Sequence, residues 1–100
     1  MLDLDRIVSF DWDEGNSLKS GAKHAVSPQE AEQVFADSGL VIADDVKHSQ
    51  AETRYHALGR AANGRFLHVT FTLRGGGTQI RVISARTMNR KERAIYEQKT

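Results

Sequence analysis

The sequence predicts an α+β domain, an antiparallel sheet with helices packed on one side, and three observations lead there. Three β-rich stretches follow one another between residues 53 and 85, a clear helix start stands at Ser27-Pro28, and a basic helix begins near Asn89. No internal repeat, low-complexity tract or interdomain linker interrupts the order, so residues 1–100 read as a single domain.

In chain order, Ile7, Val8 and Phe10 are bounded by charges and predict a short first strand. From Asp13 to His24 the pattern is weakly helical. Leu18 and Ala22 fall on one face and Asn16, Lys19 and Lys23 on the other, with Gly15 and Gly21 working against it. The next helix is announced by Ser27 as cap, Pro28 at the first helical position and Glu30 completing a capping box. Ala31, Val34 and Phe35 form its inward stripe, and Ser38-Gly39 ends it near Asp37. Leu40 to Ala43 predicts a strand, and Asp44 to Ala51 an exposed loop.

A meander follows, with strands over Thr53–Arg60, Arg65–Leu73 and Thr78–Ala85. Asn63-Gly64 is a two-residue hairpin signal, and Gly75-Gly76-Gly77 makes the second turn. In the middle strand Leu67, Val69, Phe71 and Leu73 share one face, while Phe66, His68, Thr70 and Thr72 share the other. The last helix is capped by Asn89 with Glu92 at the third position. It is expected to turn Ile95 inward and Arg90, Arg93 and Glu97 outward.

The net charge of +1 conceals a polarity: residues 1–45 hold ten acidic side chains against three basic, and residues 46–100 three against eleven. Arg81, Arg86, Arg90, Lys91 and Arg93 crowd one stretch, as a small phosphate-binding site requires. An acidic partner for the basic half follows, nucleic acid first and an acidic protein segment second; the alternative is that the two halves neutralise each other within the fold. The chain has no cysteine, which excludes a disulfide framework, a thiolate zinc site and a cysteine nucleophile. The N-terminus lacks a basic, apolar leader and no stretch could span a bilayer, so a cytoplasmic protein is expected.

Several segments in order resemble the BrnT family of bacterial type II toxins. They are Phe10-Asp11-Trp12-Asp13, Lys23-His24 with Val26-Ser27, Glu30-Ala31 with Val34-Phe35, Glu52 with Arg54-Tyr55, Leu58-Gly59, Asn63-Gly64-Arg65, and Ile83-Ser84-Ala85-Arg86 followed by Glu92-Arg93 and Tyr96-Glu97. The resemblance covers roughly residues 8–97. It implies a RelE-like ribonuclease that cleaves RNA, arrests translation and is neutralised by a BrnA antitoxin, with which it would form a heterotetramer that binds operator DNA through the antitoxin. The chain departs from the family's form at the third glycine of Gly75–Gly77 and at Asn16-Ser17-Leu18 with Gly21, neither of which removes a candidate site residue.

Metal-independent RNA cleavage needs a base for the attacking 2′-hydroxyl, an acid for the leaving 5′-oxygen, and cations for the added charge. His24 is the natural acid or base, beside Lys23, although a histidine there could simply cap a helix. Glu52 is a second candidate base, with a salt bridge to Arg54 as the plainer account. Arg81 and Arg86 are the foremost phosphate contacts, followed by Arg54 and Arg65. Lys19, Lys23, Arg90, Lys91 and Arg93 are expected to attract RNA or dock the antitoxin. Tyr96 could stack a base, with packing against the sheet as its alternative. His68 could join the site from its strand or be structural, while His48 and His56 read as incidental. No histidine–carboxylate spacing matches a metal site, so neither metal nor cofactor is expected. Two rival readings are a ParE-like toxin that inhibits DNA gyrase by binding, and a nonenzymatic RNA-binding module. The latter calls for exposed aromatics on adjacent strands, where only Phe66 and Tyr55 are available.

Overall fold

The computed structural model describes residues 2–16, 25–48 and 51–99. Most of the weak helical pattern between Asp13 and His24 therefore lies outside the described residues. Five strands form one sheet: β1 (Ser9–Phe10), β2 (Val41–Asp44), β3 (Arg54–Arg60), β4 (Phe66–Arg74) and β5 (Gln79–Thr87), in the order β1-β5-β4-β3-β2. Strands β3 to β5 pair antiparallel, as the meander predicts, and β2 joins β3 antiparallel, but β1 lies parallel to β5, so the sheet is mixed. The parallel pairing arises because the chain enters beside the last strand of the meander. The Val8 N–H donates to the Thr78 carbonyl and the Asp11 N–H to the Ile80 carbonyl, which lengthens the short ladder.

Helix α1 (Pro28–Val34) begins with the expected capping box: Ser27 accepts from the Glu30 N–H, and the Glu30 carboxylate accepts from the Ser27 N–H. Its buried residues Ala31 and Val34 lie against the sheet face formed by Ala57, Leu67, Val69, Phe71, Ile80, Val82 and Ala85. Phe35 meets Phe71 edge to face with ring centres 5.0 Å apart, and Tyr55 stacks on Phe71 from β3 at 5.3 Å. This apolar face is the core.

Helix α2 (Arg90–Lys99) starts as expected, with Asn89 and Glu92 exchanging cap hydrogen bonds. It lies at the opposite face, however, so the two helices do not share one side of the sheet. Strand alternation shows this, because Glu92 meets Arg86 and His68, and Tyr96 meets Phe66, all of which point away from the core residues Leu67, Val69 and Ala85. Tyr96, not Ile95, is the inward residue. Tyr96 is 7 % exposed and Ile95 37 %. Asp37 ties this end together, since one carboxylate oxygen accepts from both the Tyr96 hydroxyl and the Arg60 N–H.

The first hairpin turns at the expected place by a different loop. Ala61 and Gly64 close a turn, with Gly64 at a φ of 92°, and Ala61 pairs with Arg65, so Asn63 and Gly64 are not the two central residues. The second turn places Gly75, Gly76 and Gly77 all at positive φ, which a side chain would strain. The predicted loop after β2 contains a short 3₁₀ turn, Val46–His48. Among the described residues no helix is long and apolar enough to cross a membrane.

The close approach of α1 to β3 sets a test. A Cβ at Gly59 would stand 2.7 Å from Val34 Cγ1 and 2.9 Å from the Val34 carbonyl oxygen. Gly59→Ala should therefore destabilise the fold by about 2 kcal/mol, the cost of overpacking against backbone, measured as a lowered urea midpoint.

Candidate active site

The sheet face away from the core gathers arginines, histidines and hydroxyls, and cross-strand register assembles them in rows. Arg54, Thr72 and Arg81 make the first row, His56, Thr70 and Ser84 the second, and Leu58, His68 and Arg86 the third. Successive rows lie ~7 Å apart, two residues of strand. Arg81 and Arg86 would face opposite ways in a regular strand, since five positions separate them. A bulge at Ile83 reverses the alternation: Phe71 pairs with Val82 while Thr70 pairs with Ser84, so both arginines leave the core side.

An open cleft of about 670 Å³ runs over this face, with Arg54, His56, His68, Thr70, Ser84 and Arg86 in its floor and Glu92 and Ile95 at its α2 side. Its polar side chains form a chain of contacts. Asp45 accepts from His48 Nδ1 at 3.1 Å and lies 3.3 Å from His56 Nε2. The other nitrogen of His56 is 3.2 Å from Thr70 Oγ1, which fixes the ring at both ends. The His56 and His68 rings are 4.7 Å apart, and His68 Nε2 is 3.7 Å from Glu92, close but beyond a hydrogen bond. Glu92 in turn holds Arg86 with two hydrogen bonds of 2.7 and 2.8 Å.

Burial, reinforced by the nearby Arg86 charge and opposed by Glu92, pushes the His68 imidazole down to about 4. It is neutral at pH 7, and its Nδ1 is buried without a hydrogen-bond partner. Glu92 feels burial as the largest influence, but the bonds from Arg86 and Asn89 outweigh it and hold the carboxyl at about 2. Asp45 is lowered in the same manner, with burial opposed by His48 and His56. Arg86 is raised by its bond to Glu92. Among the described residues, no group of three or more His, Asp or Glu side chains is arranged to hold a metal ion.

The residues singled out from sequence divide accordingly. Arg54 and Arg86 lie in the cleft. Arg81 sits on the same face but is turned to Asp11 and Asp13, at 3.4 and 3.1 Å. Glu52 pairs with Arg74 at the far end of β4, not with Arg54, and does not line the cleft. Arg65 braces the start of α1 by bonding Glu30 and the Ala25 carbonyl, a structural task. Arg93 lies 3.5 Å over the Phe66 ring, and Arg90 and Lys91 are exposed beside it. Tyr96 is buried with its hydroxyl committed to Asp37, so packing is its role rather than base stacking. Lys19, Lys23 and His24 lie outside the described residues.

Sequence reasoning passed over Asp45, His56 and Glu92 as site residues and left His68 undecided. Counting outward from the hairpin would have placed His56 opposite Thr70 and beside His68, but Asp45 and Glu92 arrive from other elements.

A family model described as "Ribonuclease toxin, BrnT, of type II toxin-antitoxin system" matches residues 12–92. The chain belongs to the BrnT family. That family is a ribonuclease toxin of a type II toxin-antitoxin system, which implies an antitoxin partner. Among solved structures, the Brucella abortus ribonuclease toxin BrnT is similar, with a TM-score of 0.58 and 22 % identity over 83 % of this chain and 99 % of that one. At that identity the likeness concerns the fold. No curated protein matches the chain. In this chain the open face sets imidazoles between arginines, of which Arg81 and Arg86 are paired with carboxylates.

The titrations set a test with a definite sign. His68 falls to about 4 from 6.5, so unfolding takes up a proton between those values and stability declines as pH drops from 6.5 to 4. Glu92 and Glu30 fall to about 2 from 4.5, Glu30 mainly through the Ser27 N–H, and they continue the decline from 4.5 to 2. Urea unfolding against pH should show both limbs, and His68→Gln should remove the upper one and keep the lower.

Proposed function

We propose that this chain is an endoribonuclease toxin with a RelE-like fold that cleaves RNA without a metal, on the open face of β3, β4 and β5. The observation that supports it is the placing of Arg54, Arg81 and Arg86 on one sheet face with His56 and His68 between them. Guanidinium groups supply donors for the nonbridging phosphate oxygens and keep their charge at any working pH.

In this reading the 2′-oxygen attacks phosphorus, the bond to the 5′-oxygen breaks, and a 2′,3′-cyclic phosphate and a 5′-hydroxyl result. Neutral His68 takes the proton from the 2′-hydroxyl. The arriving phosphate favours the imidazolium so formed, because it adds negative charge beside the ring. His24 returns a proton to the leaving oxygen, with Lys19 and Lys23 as further cations for the RNA. Arg54 and Arg86 stabilise the charge that grows on the phosphorane. Glu52, tied to Arg74, has no part in this scheme. Arg90, Lys91 and Arg93 attract the RNA strand beyond the cleft or dock the antitoxin, which we take to be BrnA-like and to cover the basic half in a cytoplasmic, operator-binding heterotetramer.

The test is cleavage of purified total RNA by the isolated protein in EDTA. Wild type should cut, while Arg86→Ala and Arg54→Ala should each lose ~100-fold and His68→Gln and His24→Ala ~100-fold or more, with folding confirmed by circular dichroism. No cleavage by folded wild type would refute the reading, and full activity in both arginine variants would refute the site.

A further inference from the structure

Glu92 occupies a junction that the cleavage scheme leaves unused. Its Oε1 accepts from Arg86 Nη1 at 2.7 Å and from the Asn89 N–H at 3.0 Å, and its Oε2 accepts from Arg86 Nη2 at 2.8 Å. One carboxylate therefore caps α2 and grips an arginine of β5 together. Elsewhere on this helix Arg93 and Glu97 also pair, but both are about half exposed, at 48 % and 57 %, whereas the Glu92 side chain is only 17 % exposed. A pair anchored by backbone at one end loses less to side-chain freedom than a surface pair.

The donors left over point to a purpose. A guanidinium has five N–H groups. Arg86 gives both Nη1 hydrogens to Glu92 and the Thr87 carbonyl and one Nη2 hydrogen to Glu92. The Nε–H and the second Nη2–H remain, adjacent on one edge of the plane, and this edge belongs to a side chain that lines the cleft. Two parallel donors on one edge match two oxygens of a phosphate.

We propose that Glu92 is a positioning residue: it occupies the end of the Arg86 guanidinium so that the Nε/Nη2 edge is presented to the scissile phosphate. The assignment rests on the ribonuclease reading above. Glu92 touches no reacting atom; it acts chiefly through Arg86, its carboxylate also lying 3.7 Å from His68 Nε2. It also joins the start of α2 to the third row of the cleft floor, so the orientation of Arg86 depends on the docking of that helix.

Glu92→Gln separates this role from capping, because glutamine keeps an oxygen for the Asn89 N–H but turns an amide donor toward the guanidinium. Cleavage of a defined oligoribonucleotide should fall ~10- to 100-fold in Glu92→Gln. The same substitution placed in Arg86→Ala should add a further loss far smaller than its loss in wild type, since the main group through which it acts is gone and only its charge beside His68 remains. A merely structural role would multiply the two losses. The Arg86 Nη–H resonances supply a readout independent of activity: bonded to Glu92 and the Thr87 carbonyl, they should exchange slowly in wild type and fast in Glu92→Gln. Wild-type activity in Glu92→Gln, multiplicative losses in the double variant, or unchanged Nη–H exchange would each overturn the proposal. An inactive wild type would sink the ribonuclease reading instead, and the exchange measurement would still decide whether Glu92 holds the guanidinium.

Discussion

One extra residue in β5 brings Arg81 and Arg86 to the same face of the sheet. Alternation along a regular strand sends Arg81 and Arg86 to opposite sides of the sheet, and one of them would then have to enter the core beside Phe71 and Val69. The bulge at Ile83 lets the same strand bury Ile80, Val82 and Ala85 while turning Arg81, Ser84 and Arg86 outward. Bulges re-aim side chains at a local cost in ladder hydrogen bonds, and here the two flanking strand pairings retain the register on either side.

With that alternation settled, β4 divides the molecule into two halves of different chemistry. Leu67, Val69 and Phe71 face α1 and the aromatic cluster, His68 and Thr70 line the cleft, and Thr72 lies on their face, yet all six are buried. The polar half is therefore built on backbone as rigid as the core itself, which is what orientation of a reacting phosphate requires. Gly59 admits α1 close to the sheet, and Asp37 joins the exit of α1, the end of β3 and the Tyr96 hydroxyl of α2. The helix that carries Glu92 is thus held at both its start and its middle.

Local chemistry was legible in the sequence wherever it depended on neighbours in the chain. The capping boxes at Ser27 and Asn89, the meander and the two-faced pattern of β4 are all of that kind. What depended on register or docking was not. The parallel β1, the α2 face, the Asp11 and Asp13 partners of Arg81, and the Arg74 partner of Glu52 all join residues far apart in sequence. Ile95 and Tyr96 are adjacent, and the choice between them turns on the angle at which α2 meets Phe66. His56 looked incidental because neither Asp45 nor Thr70 is near it along the chain.

The central claim is that RNA lies across the outward face of β3, β4 and β5. The most direct measurement is an amide NMR titration of the intact chain with a mixed-sequence 2′-O-methyl oligoribonucleotide, which binds but cannot be cut because its 2′-hydroxyl is blocked. The account predicts saturable shifts centred on Arg54, His56, His68, Thr70, Ser84 and Arg86, weakening as salt is raised. Shifts confined to α1 and the Gly59 side of the sheet, or none that saturate, would contradict it.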